Sequence, residues 1–256
     1  MEIMVCVKRV PATGGKVTLT PDAQDIDTRY LGFTISPHEE CAIEAALQLV
    51  EQQGGSTTVL TLGVPEAIEQ LRDALAMGAE RAILLETDGR EWDAAATAAA
   101  IVDAVRGQAA AGNPFDLLLF GNEAADTGNY QVGIRVAHTL GWPCIAGIKA
   151  LELQNGQMMA KREVKGGWEI YALPLPAVIT VKEGINLPRY PSMQGRLRAK
   201  KKEILRMTPA WHGNALEKLR FKLPEQKRTQ AEILGHGPEA APKVIELLQR
   251  LGLVAP

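Results

Sequence analysis

The side chains best suited to chemistry in this 256-residue chain are few and scattered. Its four histidines (His38, His138, His212, His236) and three cysteines (Cys6, Cys41, Cys144) stand at no spacing that a zinc site or a disulfide framework requires. Motifs of the HExxH, GxSxG and GxxxxGK(S/T) kinds do not occur, which disfavours a self-contained hydrolase or kinase. One segment has the composition of a ligand loop: Gly121-Asn122-Glu123-Ala124-Ala125-Asp126-Thr127-Gly128-Asn129, followed by Tyr130, Gln131, Val132 and Gly133. It is small, polar and glycine-flanked, and it runs into a helical pattern. Backbone N–H groups and the positive end of a helix dipole favour an anion at such a place. Thr127 and Asn129 have donors for phosphate oxygens, and Gly133 permits close backbone approach. An ordinary strand-to-helix loop capped by Asp126 or Thr127 accounts for the same residues.

A second polar segment, Ser36-Pro37-His38-Glu39-Glu40, has the form of a helix start, with a serine cap, proline in the first turn and acids facing the dipole. Capping explains it, and nothing nearby in sequence pairs with His38 to make a catalytic dyad. The run Arg196-Leu197-Arg198-Ala199-Lys200-Lys201-Lys202 suits a phosphate, an acidic partner or plain solvent exposure. No nucleic-acid-binding pattern surrounds it, so no nucleic-acid partner is expected.

The elements that must position these segments alternate between short apolar runs and longer amphipathic ones. Residues 3–7, 57–62, 82–85 and 117–120 read as strands, and 38–53, 65–77, 92–108 and 130–140 as helices. That alternation predicts an α/β fold with a doubly wound, mostly parallel sheet. Ligands of such sheets collect beyond the C-terminal strand ends, where the topology reverses direction. The loops beginning at Lys8, Leu62 and Gly121, and the turn after Leu85, lie at such ends. After residue 143 the pattern changes. Residues 150–153 and 158–164 flank an Asn155-Gly156 turn and read as a hairpin, and 168–173 follows through Gly166-Gly167. These are expected to add antiparallel strands to the sheet, with 176–181 as a further buried strand. Residues 186–206 show little periodicity and read as an extended, exposed arm. Residues 208–238 are polar and ambiguous, and 239–251 form a last amphipathic helix. The expected organisation is therefore an α/β domain over 1–185, an arm over 186–206, and a tail with its helix over 207–256.

Composition bounds the function. Lysine plus arginine number 28 and aspartate plus glutamate 30, so the formal charge is −2, with 46% hydrophobic and 23% charged residues. That balance suits an ordinary globular protein and excludes a generally basic nucleic-acid coat. No apolar run approaches the roughly 20 residues that span a bilayer, so no membrane span is expected. The first residues lack a basic n-region, so no signal peptide is expected, and the three scattered cysteines suit a reducing cytoplasm.

Several motifs together resemble electron transfer flavoprotein beta subunits. They are Val5-Cys6-Val7-Lys8-Arg9-Val10, Ser36-Pro37, Leu71-Arg72-Asp73-Ala74-Leu75-Ala76-Met77-Gly78-Ala79 and Leu140-Gly141-Trp142-Pro143. Arg162-Glu163-Val164 with Gly166-Gly167, Leu175-Pro176-Ala177-Val178, and Pro188-Arg189-Tyr190-Pro191-Ser192-Met193 followed by Ala199-Lys200-Lys201-Lys202 extend the resemblance over roughly residues 1–205. It implies a fold of the adenine nucleotide alpha hydrolase-like kind and an electron-carrier subunit rather than an enzyme. It also implies a heterodimer with an alpha subunit that carries the redox-active FAD. Flavin dehydrogenases would be the donors and a quinone oxidoreductase the acceptor. By the same resemblance, Cys6, Ser36, Pro37, His38, Glu39, Leu62 and the stretch from Asp126 through Thr127, Gly128, Asn129, Tyr130, Gln131 and Val132 to Gly133 would hold an adenine nucleotide. Met193 would anchor dehydrogenases, helped by Arg189, Tyr190, Lys200 and Lys201, and Glu163 and Thr13 would lie near the flavin. Where family members often read Asn-Pro-Phe, this chain has Ser36-Pro37-His38, and its Gln131-Val132-Gly133 is closer to electron-bifurcating members. The nucleotide is thus AMP or a second FAD. A stand-alone nucleotide-binding protein of the same fold is the alternative from another class.

Overall fold

The structure, a computed structural model, describes residues 1–12, 14, 17–224 and 232–255; Thr13 lies outside the described residues. In chain order the elements are β1 (Glu2–Val7), β2 (Arg9–Pro11), β3 (Phe33–Ile35), α1 (Pro37–Gln53), β4 (Ser56–Gly63) and α2 (Ile68–Met77), which a 3-10 turn at Pro65–Ala67 introduces. Next come β5 (Arg81–Glu86), α3 (Ala94–Ala110), β6 (Leu117–Gly121), α4 (Val132–Leu140) and β7 (Cys144–Ile148). Then follow β8 (Ala150–Gln154), β9 (Gln157–Val164), β10 (Gly167–Pro174), β11 (Ala177–Val181), α5 (Met193–Lys201), β12 (Leu205–Met207) and α6 (Ala241–Arg250).

Seven strands form one sheet in the order β12-β5-β4-β1-β6-β11-β7, and every pairing in it is parallel. The pleat sorts side chains between two layers. Ile3, Val5 and Val7 pack with α1 and α2 residues such as Ile43, Leu47 and Leu71, whereas Met4 and Cys6 pack with Ile101, Val105 and Val136 of α3 and α4. Leu117 and Leu119 of β6 belong to the first layer, Leu118 and Phe120 to the second. Such strands read as continuous apolar runs because both faces are covered. The direction of winding reverses between β1 and β6, so the loops after these two strands flank the switch point.

The hairpin forms where expected, with Asn155 at φ 50° and Gly156 at φ 76°, the two positive values that a type I′ turn needs. It does not extend the central sheet. Strands β8, β9 and β10 make their own antiparallel sheet, which buries Met158, Ala160 and Leu173 against the α1 side of the core. On the β11 side the central sheet is instead lengthened by β7, parallel to β11. Residues 186–206 are also more ordered than their sequence suggests, because Ser192 caps α5 by accepting from the Gly195 N–H at 3.0 Å. Beyond it, β12 adds a parallel edge strand beside β5.

The chain divides into two compact units, residues 1–219 and 220–256. Within the first, residues 211–218 are clipped to the start of α3. Asp93 caps that helix through Ala96 N–H at 2.7 Å and also accepts from Ala215 and Leu216 N–H. The rings of Trp92 and Trp211 meet edge to face at 4.7 Å. In the second unit, a short turn at Gly237–Ala240 leads into amphipathic α6, none of whose residues is buried. Among the described residues, no helix is long and apolar enough to cross a membrane.

Candidate functional site

The crown of the site is built where β1, β6 and the N-terminus of α1 meet. Gly121 ends β6 against the first turn of α1, and a Cβ there would lie 2.7 Å from Glu39 Cγ and 3.1 Å from both Glu39 N and His38 Cβ. Only a residue without a side chain lets the helix start sit this close to the strand end. α1 then delivers Ser36, His38 and Glu39 to the switch point. Glu39 Oε2 accepts from Lys8 N–H at 2.8 Å and from Ser36 N–H at 3.4 Å, which completes a capping box and ties the loop after β1 to the helix. The side chain of Glu39 is buried. Burial pushes its pKa up to about 8, against the lowering effect of those two N–H bonds and of Lys8. Burial therefore favours the uncharged form of this carboxyl.

The loop after β6 brings two further carboxylates to the same place. Asp126 pairs with Lys8 Nζ at 2.6 Å and accepts from its neighbour's N–H, that of Thr127, at 2.8 Å. Glu123 meets His38 Nε2 at 3.3 Å and accepts the Tyr130 hydroxyl, and its backbone oxygen accepts from Ser36 Oγ at 3.4 Å. Asn122 holds the loop's root to β11, with its N–H on Val181 O at 2.8 Å and its Oδ1 accepting from Thr180 Oγ1 at 3.0 Å.

The residues singled out in the sequence separate into groups. Ser36, Pro37, His38, Glu39 and Asp126 converge on the crown. Buried Cys6 and half-buried Leu62 lie at the ends of β1 and β4 in the α3/α4 layer, and burial raises the Cys6 thiol further from ionisation. Thr127, Gly128 (φ 55°), Asn129 and Tyr130 (φ 56°) shape the exposed bend before α4. Two capping expectations are corrected. Neither Asp126 nor Thr127 caps α4, which begins at Val132 with Gln131 as an N-cap that makes no side-chain cap bond, five residues beyond Asp126, which pairs with Lys8. Gln131 turns instead to Arg135, and Val132 packs on the α3/α4 layer. The glycine at 133 serves the packing of α4 on the sheet, since a Cβ there would lie 3.1 Å from the Phe120 ring and from Thr180 Cγ2.

Glu163 belongs to the separate antiparallel sheet, exposed and paired with Trp168. The arm residues form a third place. Met193 and Tyr190 are 74% and 87% exposed, and Lys200 and Lys201 are exposed in the last turn of α5. Arg189 is turned inward. Its N–H and Nε donate to Glu44 at 3.1 and 2.8 Å and its outer nitrogens reach Glu44 and Glu51. Arg72 of α2 donates to the carbonyls of Ala199 and Lys202, while Lys202 Nζ donates to Ala79 O at 2.8 Å. A cleft of about 370 Å³ separates Tyr190, Pro191 and Ser192 from the end of α2. The sequence placed Lys8 and Glu123 in candidate ligand loops without giving either a role, and it did not mark Glu44 and Glu51 as functional. Glu44 and Glu51 are seven apart on one helix face, the spacing that could have marked them as paired receptors.

These features define an α/β protein with a polar crown at the topological switch point and a separate exposed arm. A family model described as the electron transfer flavoprotein domain matches residues 25–210. The chain is 36% identical over 250 residues to the electron transfer flavoprotein subunit beta of Syntrophomonas wolfei, covering 97% of this chain and 96% of that protein. It is 35% identical over 259 residues to the subunit of the same name from Bacillus subtilis, covering 97% and 98%. The Bradyrhizobium diazoefficiens subunit beta is 34% identical over 216 residues, 83% of this chain and 84% of that one. The chain belongs to the electron transfer flavoprotein beta-subunit family.

Proposed function

We propose that this chain is the placement subunit of a heterodimeric electron transfer flavoprotein: it holds an adenine nucleotide at the crown and presents the arm to flavin dehydrogenases. The redox chemistry comes from FAD carried by the alpha subunit, from which electrons pass toward a quinone oxidoreductase. The observation that carries this reading is the contrast within the arm between a fastened root and a bare tip. Arg189 spends its whole guanidinium on two glutamates, whereas Tyr190 and Met193 face solvent beside Arg196, Arg198, Lys200 and Lys201. A flexible apolar side chain ringed by cations suits docking to an acidic surface with an apolar pocket.

The crown's donor set fits a nucleotide. Lys8 Nζ is exposed enough to exchange Asp126 for a phosphate, the first turn of α4 has no side-chain cap, and Thr127 and Asn129 stand beside it. Cys6 and Leu62 supply an apolar wall. Glu123 and Asp126 oppose an anion placed directly on them, so Asp126 has to leave Lys8 when a phosphate arrives. Cytoplasmic residence belongs to the same reading.

The nucleotide is identified by denaturing the purified heterodimer and quantifying what is released. One flavin with one AMP per dimer is the expected result. Two flavins would place the second in this chain and make it a bifurcating type. A stable monomer that carries nucleotide and never co-purifies with a flavin-bearing subunit would overturn the reading.

A further inference from the structure

Helix α1 carries a row of attachments for the chain leaving β11. Glu183 N–H donates to His38 Nδ1 at 3.0 Å, Asn186 Nδ2 donates to Cys41 O at 3.0 Å, and Arg189 binds Glu44 and Glu51. Positions 38, 41, 44 and 51 differ by three, three and seven, so they share one stripe of the helix. The root of the arm is thus laid along α1 from its first turn to its last.

The first attachment differs from the others because it also reaches the crown. His38 Nε2 lies 3.3 Å from Glu123 Oε1, in the loop after β6, while Nδ1 of the same ring accepts the Glu183 N–H. A ring nitrogen that accepts a hydrogen bond carries no proton, so the imidazole is neutral with its proton on Nε2, the atom facing Glu123. Glu123 is itself held by the Tyr130 hydroxyl and, through its backbone oxygen, by Ser36 Oγ. A carboxylate facing Nε2 favours that tautomer, which leaves on Nδ1 the lone pair that the Glu183 N–H uses.

We propose that His38 is a positioning residue that joins the loop after β6 to the root of the arm, through its Nε2–H tautomer. An occupant of the crown that draws Glu123 away from the ring removes the selection and loosens the arm's first tie. In this way the state of the crown is linked to the order of the arm. The functional consequence rests on the docking role proposed above; the joint itself does not.

Hydrogen exchange of the heterodimer, followed over 183–189 with 117–121 as an internal control, tests the joint. Loss of one hydrogen bond worth about 1 kcal/mol corresponds to about fivefold faster exchange at the root in His38→Phe. His38→Gln offers one acceptor and one donor and is expected to restore exchange to within about twofold of wild type, with Glu123→Ala in between. The ¹⁵N spectrum of His38 in the unmutated protein is expected to show a protonated Nε2 and a bare Nδ1, a signature that simple packing does not require. Unchanged exchange in His38→Phe, failure of glutamine to restore it, or a proton on Nδ1 overturns the proposal. Faster exchange in His38→Phe, combined with normal electron transfer in Met193→Ala, supports the joint and overturns only the docking role.

Discussion

The crown and the arm are both polar, aperiodic stretches, but they are held by opposite electrostatics. At the crown, carboxyl groups are crowded around one lysine and one histidine, and burial shifts the deepest of them, Glu39, toward its uncharged form. On the arm, the carboxylates are charged and matched, and Arg189 holds Glu44 below the usual carboxylate range although burial pushes the other way. The crown's polarity rests on pairs that include a half-exposed lysine, while the arm's polarity is spent on fixing its root. A low-periodicity sequence therefore encodes a crowded polar cluster in one place and a fastened mount in the other.

The largest expected effect breaks the crown side of this comparison. The folded-state pKa of Glu39 lies above its ordinary value, so between 4.5 and about 8 the folded chain keeps a proton that the unfolded chain has released. Its effect on stability is least harmful below 4.5, worsens as pH rises to about 8 and is level beyond. Glu39→Gln keeps an acceptor for Lys8 and Ser36 N–H but cannot ionise. Denaturant titrations at several pH values should show the variant gaining on the parent across that window by up to about 5 kcal/mol.

Arg189→Ala tests the arm side. It leaves the Glu44 carboxylate, whose side chain is 5% exposed, without its cation, so a loss of about 3 kcal/mol is expected in denaturant unfolding. Faster exchange over 183–193 should accompany it. Equal stability with an undisturbed arm would show that Arg189 is not the fastener. Gly195→Ala is expected to cost about 2 kcal/mol, because its Cβ would lie 2.5 Å from the carbonyl oxygen of Ala76 at the end of α2. The same experiment measures how closely α5 must seat.

What the sequence made legible, and what it hid, follows from the range of the forces involved. Strands β1, β4, β5 and β6 and helices α1 to α3 announce themselves through local periodicity, and the Asn155-Gly156 turn through its dihedral demands. Short α5 was hidden because the contacts that hold it are distant: Arg72 reaches 127 residues along the chain to Ala199 O, and only Ser192 is a local signal. Strand β12 was hidden for the same reason, since three residues, Leu205, Arg206 and Met207, become a strand only by pairing with β5. At the crown, Ser36 and Glu39 were visible as a capping pattern, but Glu39's burial under Gly121 depends on packing from another strand. His38 has no partner within its own helix, because both of its partners, Glu123 and Glu183, come from distant loops.

The central claim is that the fastened arm serves to present Met193. Steady-state electron transfer from a flavin dehydrogenase to the purified heterodimer, compared between the parent and Met193→Ala at equal flavin content, tests it most directly. Truncating an exposed docking anchor is expected to remove about 1–2 kcal/mol of binding, which appears as roughly a tenfold rise in KM with flavin content and unfolding midpoint unchanged. Parent-like kinetics in Met193→Ala would contradict the account.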